Sequence, residues 1–222
     1  MRCQLILVCL IMTIGCSKNK HSEINTNIKK EQFIPKDWKI LDSCSTDFNK
    51  DNIIDKVFVI QENKHTISRG NEECEGDSIL KKEIIIRFGL GKEKYKTSLK
   101  TSKIFGKCNW GIQGTDAYSD ISNRKNTFGI TFTTGGTLRS NLSYYFRYQD
   151  NDWFLIGYDE ITYQVPYEDK YIKEINFLTG KQITYEIIGE KKTNTKSTNI
   201  GKKHLTKLIE FDASQVNFSS EE

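Results

Sequence analysis

Residues 137–163 read TLRSNLSYYFRYQDNDWFLIGYDEITY. Two stretches rich in aromatic and β-branched side chains, Thr137–Gln149 and Asp152–Tyr163, stand on either side of Asp150-Asn151. Such side chains favour the pleated surface of a sheet. Asx residues tolerate the positive φ that a two-residue hairpin loop demands. Strands joined that tightly are antiparallel. The pattern extends in both directions. Gly135-Gly136 joins Thr127–Thr134 to the first stretch, and Thr179-Gly180 joins Tyr171–Leu178 to Lys181–Ile188. Nearer the N-terminus, Trp38–Asp47, Asp55–Gln61, Ile79–Leu90 and Lys94–Thr101 alternate or run β-branched in the same way.

The chain has 2 prolines, Pro35 and Pro166, both outside these runs. The best helical stretch is Lys203–Phe211, where Leu205, Leu208 and Ile209 share a face. The expectation is a mainly β chain with few short helices: a single twisted antiparallel sheet, or a two-layer β domain built as a β-meander.

Residues 1–15 have a different character. Arg2 is followed by an apolar core, Leu5–Ile14, too short to span a bilayer as a helix. It ends Thr13-Ile14-Gly15-Cys16, which resembles the lipobox of bacterial lipoproteins. That resemblance implies removal of 1–15 and acylation of Cys16. The partner is then a membrane, reached through the N-terminal lipid, and the location is the bacterial cell envelope; the sequence does not specify leaflet or side. Several acyl chains give stable anchoring where one is marginal. Residues 16–34 read as a polar, Lys- and Asn-rich flexible tether. Residues 35–222 read as the β-rich domain, with a basic, partly flexible C-terminal segment.

About 190 residues remain after the tether, enough for one core. The 33 Lys and Arg against 29 Asp and Glu give a net charge of +4, too mild to point to nucleic acid. Of the 6 cysteines, Cys3 and Cys9 leave with the signal and Cys16 takes lipid. Cys44, Cys74 and Cys108 remain for an oxidising envelope. Cys74 and Cys108 lie in glycine-containing, loop-like surroundings and form the favoured disulfide, while Cys44 packs as a small buried residue.

Asp47-Phe-Asn49-Lys-Asp51-Asn-Ile53-Ile-Asp55 is the densest cluster of oxygen donors, and the strand Val57–Ile60 follows at once. Asp47, Asn49, Asp51 and Asp55 fall at positions 1, 3, 5 and 9 of a cation loop, with the Ile53 carbonyl at position 7. Asn52 stands where an EF-hand carries its turn glycine, and Phe58 where it carries its bidentate Glu. The Asp-x-Asn-x-Asp-x-x-x-Asp run before a strand resembles the calcium loop of FG-GAP (integrin-like) repeats. That implies a structural calcium ion. An FG-GAP propeller repeats its loop in every blade, and this chain has one. The plainer reading is a solvated acidic turn. Gly111–Gly180 also resembles uncharacterised β-rich secreted bacterial proteins, a resemblance that implies no activity.

Other sites have little material. The 3 histidines, His21, His65 and His204, lie in the tether, a polar turn and the basic tail, which leaves no triad. Asp159 and Glu160 are adjacent, so they point to opposite faces of a strand and cannot act as a glycosidase pair. Arg147 reads as an ion-pair partner of a carboxylate such as Asp159. The aromatics of Tyr144–Tyr171 suit a core first and a glycan- or peptide-binding face second. Glu190–Lys207 reads as a solvated lysine-rich hairpin. The function expected is therefore non-enzymatic: a membrane-anchored envelope module for a protein or glycan partner. An envelope glycan- or peptide-degrading hydrolase and a structural envelope component are the alternatives.

Overall fold

The computed structural model describes residues 33–63, 80–106, 110–167, 169–216 and 218. Among these, eleven strands form two antiparallel sheets. The first holds β1 (Trp38–Thr46), β2 (Asp55–Glu62), β3 (Lys82–Gly89) and β4 (Tyr95–Thr101), in that order. The second holds β5 (Tyr118–Arg124), β6 (Thr127–Gly135), β7 (Leu138–Gln149), β8 (Asp152–Gln164), β9 (Lys170–Asn176), β10 (Lys181–Ile188) and β11 (Lys191–Asn199). Every strand pairs with its neighbour in sequence, so both sheets are meanders. The link between them carries two short 3-10 turns, Lys103–Phe105 and Ile112–Gly114.

The two-layer form of the expectation is the one observed. Alternation on β7 sends Leu142, Tyr144, Phe146 and Tyr148 inward and Asn141, Ser143, Tyr145 and Arg147 outward. Val57, Val59, Ile84 and Ile86 of the first sheet share one core with Phe128, Ile130, Phe132, Tyr144, Phe146, Trp153, Leu155 and Tyr158 of the second. Asp150 and Asn151 take φ of 50° and 59°, the two positive values of a type I′ hairpin loop. Gly135 has φ 100°, and a Cβ there would stand 2.1 Å from the Leu138 carbonyl oxygen.

The structure departs from the expectation in three places. β5 is polar apart from half-buried Tyr118 and buried Ile121, and β11 (KKTNTKSTN) has no apolar residue, so neither shows a hydrophobic period. Both are edge strands held by backbone pairing to β6 and β10. The segment Glu190–Lys207 is solvated as expected, and its first half, β11, is the outer arm of the β10–β11 hairpin, paired along its length. Lys203–Phe211 is not a helix. Pairing of β8 with β9 begins at Gly157, which leaves the backbone of Trp153 and Leu155 open on that side. The Leu155 N–H donates to the Thr206 carbonyl at 2.9 Å, and the Leu208 N–H to the Trp153 carbonyl at 2.8 Å. An extended rung satisfies those groups where a helix would not. It also seats Leu208 and Phe211 in the core.

Candidate functional site

The acidic turn between β1 and β2 is held by its own side chains. Asp47 Oδ1 accepts the N–H groups of Lys50 (2.7 Å) and Asp51 (3.1 Å), and its Oδ2 accepts that of Asn52 (2.9 Å). Asn49 Oδ1 accepts the Asp51 N–H at 3.0 Å, and Asp51 Oδ1 the Ile53 N–H at 2.8 Å. The Asn49 amide donates to Asp51 Oδ2 at 2.9 Å. Lys50 and Asn52 sit at φ 66° and 65°, and the carboxylate bonds hold them there.

Asp55 faces the other way. It is 0% exposed, and its Oδ2 accepts the N–H groups of Phe48 (2.9 Å) and Asn49 (3.2 Å). Its Oδ1 accepts the Gly89 N–H at 2.9 Å. Burial pushes its carboxyl above the usual range, against the pull of those three bonds. Gly89 is needed for this approach, since a Cβ there would lie 2.5 Å from both Ile53 Cγ2 and the Ile54 carbonyl oxygen.

The five residues read from the sequence as one ligand set therefore divide. Asp47, Asn49 and Asp51 line the solvent side of the turn, where Asp47 Oδ2, Asn49 Oδ1 and both Asp51 oxygens each keep a further lone pair for a cation, while Asp47 Oδ1 is filled by two N–H groups. Asp55 serves the protein's own backbone, and Ile53 gives its N–H to Asp51, a bond that does not engage the Ile53 carbonyl expected as a ligand. Among the described residues, no three His, Cys, Asp or Glu side chains gather as a metal centre. Two carboxylates and an amide there could hold a cation only with water completing its shell. Cys16, Cys74 and Cys108 lie outside the described residues, so the lipid and the disulfide expected there have no structural description. Cys44 is buried, and burial, with the charges of Asp42 and Asp120, pushes its thiol up to about 12.

A second constellation lies on the outward face of the larger sheet. Register sets Asp159 of β8 opposite Ser143 of β7 on one side and Glu174 of β9 on the other. The Tyr145 hydroxyl donates to Asp159 Oδ2 at 2.7 Å, and the Tyr185 hydroxyl to Glu174 Oε1 at 2.9 Å. The Lys192 ammonium lies 3.4 Å from the centre of the Tyr185 ring. Tyr145 pairs across strands with Gly129 and Gly157. A Cβ on Gly129 would stand 2.9 Å from its ring, and one on Gly157 would stand 3.5 Å away. The ring occupies the space that two missing side chains leave.

Like charges directly opposite each other destabilise a sheet, so this acid pair is costly. Burial pushes Asp159 above the usual carboxylate range; the Tyr145 hydrogen bond opposes that shift and the Glu174 charge adds to it. Tyr145 is also raised, by burial and by Asp159. Burial and the Glu174 hydrogen bond push Tyr185 up to about 12. At neutral pH both tyrosines are hydrogen-bond donors.

Asp159 and Glu160 do point to opposite faces. Glu160 lies inward and accepts bonds from the hydroxyls of Tyr158 (3.1 Å), Thr162 (3.3 Å) and Ser140 (3.4 Å). Arg147 does not pair with Asp159; its guanidinium donates to Gln149 Oε1 on its own strand. Of the ten aromatics in Tyr144–Tyr171, Tyr144, Phe146, Trp153 and Tyr158 are buried in the core and Tyr148 packs against it, while Tyr167 and Tyr171 are exposed. Sequence reasoning missed Glu174 and Tyr185, which only cross-strand register brings to Asp159. No family model, curated protein or solved structure matches the chain.

Proposed function

We propose that this chain is a lipid-anchored, non-enzymatic binding module of the bacterial cell envelope, and that its ligand is a glycan held on the outward face of the larger sheet. One observation carries the reading: the Tyr145 ring, set between Gly129 and Gly157, lies beside two carboxylates on a half-buried sheet face. A sugar ring presents a C–H face that packs on an aromatic ring and hydroxyls that donate to carboxylates. The membrane attachment rests on the lipobox-like Ile14-Gly15-Cys16. Among the described residues no helix is long and apolar enough to cross a membrane. A structural calcium ion at Asp47, Asn49 and Asp51 belongs to the same proposal.

Co-sedimentation of the full chain with isolated envelope glycan tests it. Wild type is expected in the pellet, and Tyr145→Ala is expected to weaken binding about tenfold with an unchanged circular dichroism spectrum. Equal binding by the variant would refute the platform. A second reading is a glycan hydrolase, which the directly opposed Asp159 and Glu174 favour, because such chemistry works through two carboxyl groups on one face. New reducing ends formed by wild type but not by Asp159→Asn would replace the first reading with the second.

A further inference from the structure

Four of the exposed large hydrophobic residues lie on one rim of the larger sheet: Leu138 (60% exposed), Tyr167 (65%), Tyr171 (44%) and Ile188 (51%). Register brings them together. Leu138 begins β7 opposite Gln164 at the end of β8, Lys170 begins β9 opposite Tyr163 and Ile187, and Ile188 ends β10 opposite Lys191. Tyr167 lies in the turn from β8 to β9, and Tyr171 follows Lys170.

The polypeptide also enters the domain at this end. Trp38, at the start of β1, pairs with Glu62 at the end of β2, and Gln61 beside it pairs with Lys82 at the start of β3. Lys82 forms an ion pair with Asp116, two residues before β5 begins. The start of β5, the end of β6 and the start of β7 follow along the same end of the sheet. The acidic turn lies at the far end, where Phe48 meets Trp153 at the start of β8.

We propose that this rim is a membrane-docking surface, set against the lipid interface by the anchor at Cys16. The proposal rests on the lipoprotein reading. Eighteen residue steps separate Cys16 from Ile34, at most about 60 Å of chain. That length lets the end from which the chain leaves reach the bilayer, where the apolar rim, rather than the tether, sets the orientation. Tyr167 and Tyr171 have the amphipathic form that membrane interfaces favour. Lys170, Lys191 and Arg139 stand among them, with Lys192 next in line, but so do Asp169, which takes the Gly189 N–H, and Glu190. Four basic side chains thus face two acidic ones, a mild positive excess, so shallow insertion of apolar side chains drives docking, with lysine stems reaching the headgroups. Docking therefore occurs on neutral lipid and strengthens as the anionic fraction rises.

The test reconstitutes the acylated full-length chain in phosphatidylcholine–phosphatidylglycerol vesicles and reads lysine acylation by mass spectrometry. Lys170 and Lys191 are expected to react about threefold or more slowly than Lys50, Lys92 and Lys125 at the far end. Combined Leu138→Ser, Tyr167→Ser and Ile188→Ser substitutions, all at exposed positions, are expected to remove that difference while the chain stays vesicle-bound through Cys16. Equal rates in wild type would overturn the docking surface. Absence of acyl mass on the Cys16 peptide would instead refute the anchor. Flotation of the unacylated chain with the same vesicles then decides the rim: flotation lost in the triple variant supports it, and no flotation of wild type overturns it.

Discussion

The Asp55 carboxylate accepts the backbone N–H of Gly89 at 2.9 Å, across 34 positions of sequence. Its other oxygen takes Phe48 and Asn49, so one buried side chain fastens the acidic turn to the end of β3. Removing it leaves three N–H groups without an acceptor, two of them in bonds buried from solvent. Each such loss costs about 1–3 kcal/mol, partly relieved by entering water. Asp55→Ala is expected to lower unfolding free energy by about 3 kcal/mol in urea titration, and Asp55→Asn, which keeps one acceptor, by about half as much. A loss below about 1 kcal/mol for the alanine variant would show that water replaces the carboxylate freely.

Calcium is expected to act on the same turn more gently. Asp47 and Asp51 face solvent with an amide between them, a small ligand set of the kind found in millimolar-affinity extracellular sites. At tenfold excess over the dissociation constant, mass action gives about 1.4 kcal/mol, a rise in Tm of about 3–6 °C for a domain of this size. A melt in 10 mM calcium against chelator should show that rise in wild type and not in Asp51→Ala. The absence of any rise would mean that backbone N–H groups alone hold the turn.

The acid pair predicts an unusual pH response. Asp159, Asp55 and Asp120 all have carboxyls raised in the folded chain, burial being the first cause in each. Asp152 is the exception: burial raises it, but the Lys207 hydrogen bond and the Trp153 N–H hold it below the usual range. A carboxyl raised by folding binds protons more tightly in the native state. It therefore adds stability as pH falls from neutral towards the unfolded value near 4, and loses it as pH rises through the folded value. Tm is expected to climb between pH 7 and pH 5. Asp159→Asn should gain about 0.5 kcal/mol at pH 7 by removing the repulsion of Glu174, and the gain should fade by pH 4. A variant less stable than wild type at pH 7 would show that the Tyr145 bond outweighs the repulsion.

How much of this was legible depended on whether the signal was local. Asp150-Asn151 announces its hairpin because the positive φ values are a property of those two residues. β11 is silent because a polar edge strand is fixed by the backbone of β10, which no side-chain period records. Lys203–Phe211 has helical spacing, but the open edge of β8 decides its conformation. The oxygen donors of the acidic turn were legible as a set. Their division between solvent and backbone was not, because a carboxylate serves a cation and an N–H group equally well. Asp159 meets Glu174 only through register, and register needs the whole meander.

Phe48 ties the turn to the core. It sits one residue after Asp47, yet it is 0% exposed and packs edge-on against Trp153 (5.5 Å) and Phe128 (6.1 Å). Its N–H is one of those held by Asp55, so the carboxylate sets the angle at which the ring enters. Phe48→Ala is expected to cost about 3–5 kcal/mol, as for other buried phenylalanines. Because ring and carboxylate act on one segment, their losses should overlap. The Asp55→Ala, Phe48→Ala double variant is expected to fall short of the summed single losses by about 1 kcal/mol or more. Strict additivity in the cycle would show that the ring finds its pocket without the carboxylate. The turn would then be a surface feature rather than the end of the core.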